Sequence, residues 1–447
     1  MKLSSHSALS CVRNYVVAIG LVLTTLTLAG EPVRAQGFDR IERERALSML
    51  NMVKNDLKNN YYDPTFRGMD VDSRFKTAEE KIKAATSLGQ AFGIVAQALL
   101  DLNDSHTVFI PPRRPETVTY GWQMQIIGDK CYVVAVKPGS DAAAKGLKEG
   151  DEIISFMGFK PSRKEFWKMR YYYNLISPRP ALIAVVKSPG GEPRELELKA
   201  KIKSGSIVRN LTNTIEISDY IRDLEDNYLA RRHRYYDNPG VLIWKMPAFD
   251  LEDSDIDKLV DKGKSSQAIV LDLRGNGGGA ETTLLRMIGS FLDKDLKVGD
   301  VTERKKSKPL LAKTRGKSGH TGKLVILIDS ESASSSEVFA RVMQMEKRAV
   351  VIGDLSAGAV MRSRFHSHEL GTTTIIPWGV SITDADLVMP DGKSLEHVGV
   401  IPDELLLPSG TDLAAKRDPV MVRALELAGV KMTPEKAGAL FPIIWEK

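Results

Sequence analysis

Cysteine is nearly absent: Cys11 and Cys131 are the two in 447 residues. Cys11 lies in an amino-terminal stretch that reads as a cleaved leader, so Cys131 stands alone, which excludes an intramolecular disulfide and a metal site built on paired cysteines. Stability must come from a packed core. An excess of one charge is missing too. Lys plus Arg number 63 against 57 Asp plus Glu, a surplus of +6 scattered among acidic residues, so nucleic acid is not an expected partner. Beyond residue 35 no run of about 18 apolar residues occurs, and no membrane span is expected there. Low complexity is also lacking. The chain has 35 Gly and 21 Pro among 43% hydrophobic and 27% charged residues, the balance of a globular protein with room for about three domains.

What is present begins with Lys2 and Arg13, an apolar run from Tyr15 to Ala29, and Val33-Arg34-Ala35, a small-x-small cleavage signature. Residues 1–35 are expected to be a secretory signal peptide, which would export the remainder to a periplasm or out of the cell. An uncleaved anchor is the alternative. From Phe38 to Leu102 apolar residues recur every three or four positions, as in Ala46, Leu50, Val53 and Leu57, which predicts a helical domain over 36–115. The turn Tyr62-Asp63-Pro64 and the polar stretch Gly68 to Asp72 separate its helices. Over 116–205 short strands broken by Gly and Pro predict a β-rich module. Over 206–447 apolar strands alternate with helical stretches, which predicts an α/β domain with a partly parallel sheet and a closing helix from Asp418 to Leu427. The fold class expected is multidomain α/β.

Three clusters carry chemistry. Leu271-Asp272-Leu273-Arg274 runs from a buried strand into Gly275-Asn276-Gly277-Gly278-Gly279, where backbone amides and a helix start suit an anion or oxyanion. A tight strand-to-helix turn explains the same glycines. So does a Gly-x-Gly-x-x-Ala dinucleotide fingerprint at Gly275, Gly277 and Ala280, but the strand that should carry its acidic partner about 20 residues on comes about 50 residues on. Second, Ser334 and Glu337 open a helix as a capping box. A serine at a helix start also exposes its hydroxyl, while the next amide can bind an oxyanion, so both readings can hold. Third, Asp104-Ser105-His106-Thr107 offers an imidazole, the side chain whose pKa of about 6.5 suits a general base for serine.

These motifs, in this order, resemble the carboxy-terminal processing (tail-specific) protease family. Leu271 to Gly278, Ser332 to Glu337, Gly353-Asp354-Leu355-Ser356-Ala357-Gly358-Ala359 and Gly399-Val400-Ile401-Pro402-Asp403 carry the resemblance. Residues Val136 to Ile154 resemble the PDZ domains found inside such proteases. That resemblance implies peptide capture by strand addition, with Gly121, Trp122 and Gln123 facing a terminal carboxylate. It also implies Ser334 as nucleophile, with oxyanion amides from Ser335 and from Gly277 or Gly278. The usual lysine base of the family is missing, since the chain has Gly358-Ala359 where the pattern reads Gly-Lys. Gln344 is kept, but the Asp beside it is Met345. The Ser356-Ala357-Gly358 form is similar to the tricorn-like branch, which implies His106 as base, oriented through Ser105 by Glu396, with His397 the weaker substitute.

The function expected is that of an exported serine endopeptidase acting on peptides or unfolded protein tails, with no metal and no organic cofactor. A homo-oligomer is left open. A protease-like PDZ scaffold that has lost its catalytic pair is the main alternative, and a nucleotide site at the glycine loop is a third.

Overall fold

The computed structural model describes residues 38–114, 116–204, 233–370 and 376–445. The expected signal peptide, residues 1–35, lies outside them. Three helices come first, Arg40–Asn60, Val71–Lys83 and Leu88–Leu100, and Asp39, Asp70 and Ser87 cap their first turns by accepting from Glu42, Ser73 and Gln90 amides. Their apolar face, with Leu50, Val53, Phe75, Ile82 and Leu99, closes over Phe109 and over Trp378, Val380 and Ile382 of the strand Ile376–Val388. The helical layer is therefore completed by a strand from late in the chain. The short strand Val108–Ile110 pairs antiparallel with that same strand, which draws the Asp104–Thr107 turn against it.

Next, the strands Trp122–Ile127, Lys130–Val136, Glu152–Phe156, Ala181–Lys187 and Pro193–Lys199 form a five-stranded antiparallel sheet in chain order. Its own core holds Trp122, Val133, Phe156, Leu182 and Val186. Trp122–Ile127 lies at one edge.

A six-stranded sheet organises the rest. Its order is Glu404–Leu405, Val350–Gly353, Lys323–Ile328, Ala268–Asp272, Val241–Lys245, Arg234–Asn238, parallel except for the last pair. Continuous apolar runs suit it because both faces are covered. Leu242, Trp244, Ile269, Leu271 and Ile326 join one core, while Val241, Ile243, Val270, Val325 and Leu327 join the other, beneath the helix Pro419–Leu427. A further short helix, Pro434–Gly438, follows the expected closing helix.

The mixed α/β architecture matches the expectation, with one large addition. Val108–Ile110, Ile376–Val388, Leu296–Glu303 and Ser307–Ala312, with Met361–Leu370 paired to the second, build a separate antiparallel sheet. Its strands mix arginine, histidine and serine with apolar residues because much of one side faces water, so they carry no long apolar run to reveal them. Among the described residues no helix is long and apolar enough to cross a membrane.

Candidate active site

Three parallel strands end on the same side of the six-stranded sheet, and the loop after each contributes to one site, as expected at the carboxyl ends of strands in α/β sheets. After Ala268–Asp272 comes the glycine loop. Asn276 anchors it: its Nδ2 donates to the Met246 carbonyl at 2.9 Å, and its Oδ1 accepts from the Gly278 amide at 2.8 Å. The Asn276 carbonyl then accepts from the Ala333 amide and the Ser336 hydroxyl, both at 2.9 Å. Gly278 has φ +95°, and a Cβ there would lie 2.6 Å from Ser334 Cβ. Only glycine lets the two loops approach so closely.

After Lys323–Ile328 comes the serine turn. Ser334 precedes the helix Ser335–Met345 with φ 56° and ψ −122°, a region a residue with a side chain occupies only when its surroundings compel it. Val338, Phe339, Val342 and Met343 of that helix are buried. Glu337, also fully buried, accepts from the Ser334 amide at 3.0 Å, so the expected capping contact is made. The same carboxylate reaches the third loop, after Val350–Gly353: it accepts from the Ser356 hydroxyl (2.6 Å) and from the Gly358 and Ala359 amides (2.8 and 3.0 Å). Burial pushes the Glu337 pKa up to about 7, against those four bonds. The Ala359 carbonyl accepts from the Ser334 amide at 2.8 Å, so the residue beside the serine turn is an alanine where the family pattern has a lysine.

The amides of Gly277 and Ser335 make no hydrogen bond among the described residues. Both residues line a cavity of about 440 Å³ together with Ser334 and His106. The Gly278 amide is spent on Asn276, so of the two glycines expected it is Gly277 whose amide has no partner among the described residues. Leu284, Val301, Leu310, Val338 and Leu387 give the cavity an apolar wall, and Glu281, Arg362 and Asp386 also line it; no lysine does. These wall residues were not anticipated. Three of them lie outside the strands and helices read from the sequence or on the sheet it did not reveal.

His106 comes from the opposite side. Asp104, fully buried, ties its turn: Oδ1 accepts from the His106 amide (2.9 Å), the Thr107 amide (3.0 Å) and the Thr383 hydroxyl (2.6 Å), and Oδ2 from the Tyr61 hydroxyl (2.8 Å). The Ser105 hydroxyl donates to Glu396 Oε2 at 2.9 Å and lies 2.8 Å from His106 Nδ1. A hydroxyl has one proton, so Nδ1 must be the donor to Ser105, and Nε2 keeps its lone pair. Glu396 is itself fixed by the Ser105 amide at 3.0 Å and the Val360 amide at 2.9 Å. Burial lowers the His106 pKa, opposed by the Glu396 and Asp104 carboxylates. Among the described residues no hydrogen bond joins Ser334 to His106, although both line the same cavity.

Gly121, Trp122 and Gln123 lie elsewhere. Gly121 has φ +71° and packs against Ser140, where a Cβ would come within 2.6 Å of Ser140 Cβ. Trp122 and Gln123 line a second cavity of about 320 Å³ with Arg170 and Glu331, a pair joined by a salt bridge. His397 makes no contact with Ser334; its Nε2 bonds the Asn103 carbonyl at 2.8 Å. Among the described residues no group of three His, Cys, Asp or Glu side chains is placed to hold a metal ion.

A serine at a strained helix entry, sharing a cavity with an oriented imidazole and two uncommitted amides, is the arrangement of a serine-hydrolase centre. Residues 240–406 match the family model described as peptidase family S41, so the recognition made from the motifs holds at family level. The tail-specific protease of Haemophilus influenzae is 24% identical over 372 residues, covering 76% of this chain and 51% of that protein. The chloroplastic carboxyl-terminal-processing peptidase 1 of Arabidopsis thaliana is 24% identical over 347 residues, 72% of this chain and 64% of that one. The chain thus spans about half to two-thirds of the length of these relatives. The crystal structure of mature CPAF superposes with a TM-score of 0.63 over 84% of this chain and 94% of that one, at 15% identity, a likeness of fold.

Proposed function

We propose that the chain is an exported serine endopeptidase that hydrolyses peptides or unfolded protein tails. One observation carries this reading: the hydrogen-bonded line Glu396, Ser105, His106, which ends at the cavity holding Ser334. His106 Nε2 takes the Ser334 proton as the hydroxyl attacks the peptide carbonyl, then returns it to the leaving amine. Glu396, acting through Ser105, holds the tautomer and stabilises the imidazolium. The Gly277 and Ser335 amides receive the tetrahedral oxyanion. Because burial keeps the imidazole neutral near pH 7, the base is available without a lysine. Substrate binding is expected to bring the Ser334 hydroxyl within hydrogen-bond reach of His106 Nε2. The apolar wall of Leu284, Val301, Leu310, Val338 and Leu387 suits an apolar side chain on the acyl side of the cleaved bond. The five-stranded sheet is the PDZ-like module of this reading, with Gly121, Trp122 and Gln123 at its peptide edge.

The test is incubation of the chain with a library of unstructured peptides and mapping of the products by mass spectrometry. The parent is expected to cut after apolar residues and Ser334→Ala to cut nothing. Equal cleavage by both, or none by the parent between about pH 6 and 9, where an imidazole base works, would overturn the assignment.

A further inference from the structure

Of the eight non-glycine residues with a positive φ among the described residues, three stand together beside the Glu396 line. They are Arg67 (52°), Asn103 (50°) and His397 (61°), and the three are in mutual contact. Arg67 Nη1 donates to the Asn103 carbonyl at 2.6 Å, and His397 Nε2 approaches the same oxygen at 2.8 Å. A carbonyl can only accept, so Nε2 carries the proton. Arg67 Nη1 and His397 Nε2 are 3.3 Å apart, and His397 Nε2 lies 3.5 Å from Glu396 Oε1. Costly backbone conformations that cluster outside glycine persist where the surroundings enforce them, and they gather at functional sites.

Each participant comes from a different segment. Arg67 sits on the turn that follows Tyr62-Asp63-Pro64, where Asp63 accepts from the Thr65 and Arg67 amides at 2.8 Å. Arg67 Nη2 also reaches the Tyr62 hydroxyl at 3.3 Å. Asn103 immediately precedes Asp104-Ser105-His106. His397 immediately follows Glu396, and its amide donates to the Gly358 carbonyl at 2.7 Å, on the loop that Glu337 binds. One carbonyl therefore ties the helical layer, the base loop and the carboxylate loop together.

We propose that Arg67 and His397 are positioning residues that grip the Asn103 carbonyl from two sides and so hold Glu396 and Ser105 at bonding distance behind His106. The inference rests on the Ser334–His106 reading of the site. Glu396 and Asp104 are the charges that act on the His106 ring, while Glu281, Arg362 and Asp386 line the cavity it shares; Asp104 is held by its own four bonds, so Glu396 is the one the clamp controls. A mere fastener between layers would leave the ring's basicity unchanged when cut.

The decisive experiment follows the His106 ring by NMR in the histidine-labelled full chain, alongside turnover on a peptide substrate. Glu396→Gln sets the benchmark. Arg67→Ala and His397→Ala are each expected to lower the His106 pKa by about one unit, the scale on which a nearby carboxylate acts. Each should cut kcat about 10- to 100-fold with KM within about twofold. The double variant should be no worse than either single one, because both act through one oxygen. His397→Gln, which keeps an N–H donor, should stay close to the parent. A folded Arg67→Ala with an unmoved His106 pKa overturns the clamp. Where Arg67→Ala costs the fold, His397→Ala, on an exposed loop, decides in the same way. Because the ring pKa is readable without turnover, failure of the clamp is distinct from failure of the peptidase reading, which would show as a parent that cuts no peptide.

Discussion

The two sides of the cavity are built differently. On the serine side, Ser334, the glycine loop and the Ser356–Ala359 loop all leave the ends of adjacent strands in one parallel sheet, and Asn276 and Glu337 stitch them mainly through backbone amides and carbonyls. On the imidazole side, His106 depends on Tyr61, Thr383, Glu396 and Arg67, which come from segments far apart in the chain. The serine side is thus fixed by the fold itself. The imidazole side is fixed by side chains that could be removed one at a time with the sheet intact. Changes on the first side should damage stability and activity together, whereas changes on the second should damage turnover alone.

The largest effect expected beyond loss of the serine is at Gly278. Gly278→Ala forces a Cβ to within 2.6 Å of Ser334 Cβ at a φ of +95° and displaces the loop that carries the Gly277 amide. Turnover should fall about 10²- to 10³-fold, the cost of an oxyanion donor, and the melting temperature should fall with it. Normal kcat in a stable Gly278→Ala would break the contrast at its strongest point. Next comes Glu396→Gln on the other side. It should reduce kcat about 10- to 100-fold, and the acid limb of the pH–rate profile should move to lower pH, because the Glu396 charge now raises the His106 pKa. Melting temperature should change little by comparison.

The sharpest effect on how stability depends on pH belongs to Glu337. Its folded pKa of about 7 lies above an ordinary glutamate, so the folded state binds a proton that the unfolded chain releases between about pH 4.5 and 7. This group's contribution is full below about pH 4.5 and is lost as pH rises through 7. His106 acts oppositely: its lowered folded pKa makes stability rise as pH approaches 6.5 from below. Both groups are titrated in the parent but only His106 in Glu337→Gln, so melting temperatures of the two chains should converge or cross along the acid-to-neutral scan. Parallel curves would remove Glu337 as a titrating group.

The same contrast explains what could be read from the sequence. The parallel strands announce themselves as buried apolar runs, AIVLD and LVILI, and the glycines and serines that follow them are contiguous motifs, so Ser334 and the glycine loop beside it were legible as candidates. The choice between Gly277 and Gly278 was not, because it depends on where the Asn276 side chain turns. His106, Ser105 and Glu396 came from resemblance, since no local pattern predicts that residues 105 and 396 meet. Strands such as MRSRFHSHEL escaped because their alternation is blurred by polar residues on both faces. With them went Val301, Leu310 and Leu387 of the cavity wall, and the link from the helical layer to Trp378 and Val380. The grip of Arg67 and His397 on Asn103 left no sequence signal beyond a turn, a hinge and a neighbouring histidine.

The most direct test of a serine activated by a distant imidazole is the rate at which a fluorophosphonate modifies Ser334 in the parent and in His106→Ala. The account predicts covalent labelling of Ser334 in the parent, with a rate that rises through a single ionisation below about pH 6.5, and labelling at least about 10²-fold slower in the variant. Equal rates in the two chains across that range would contradict it.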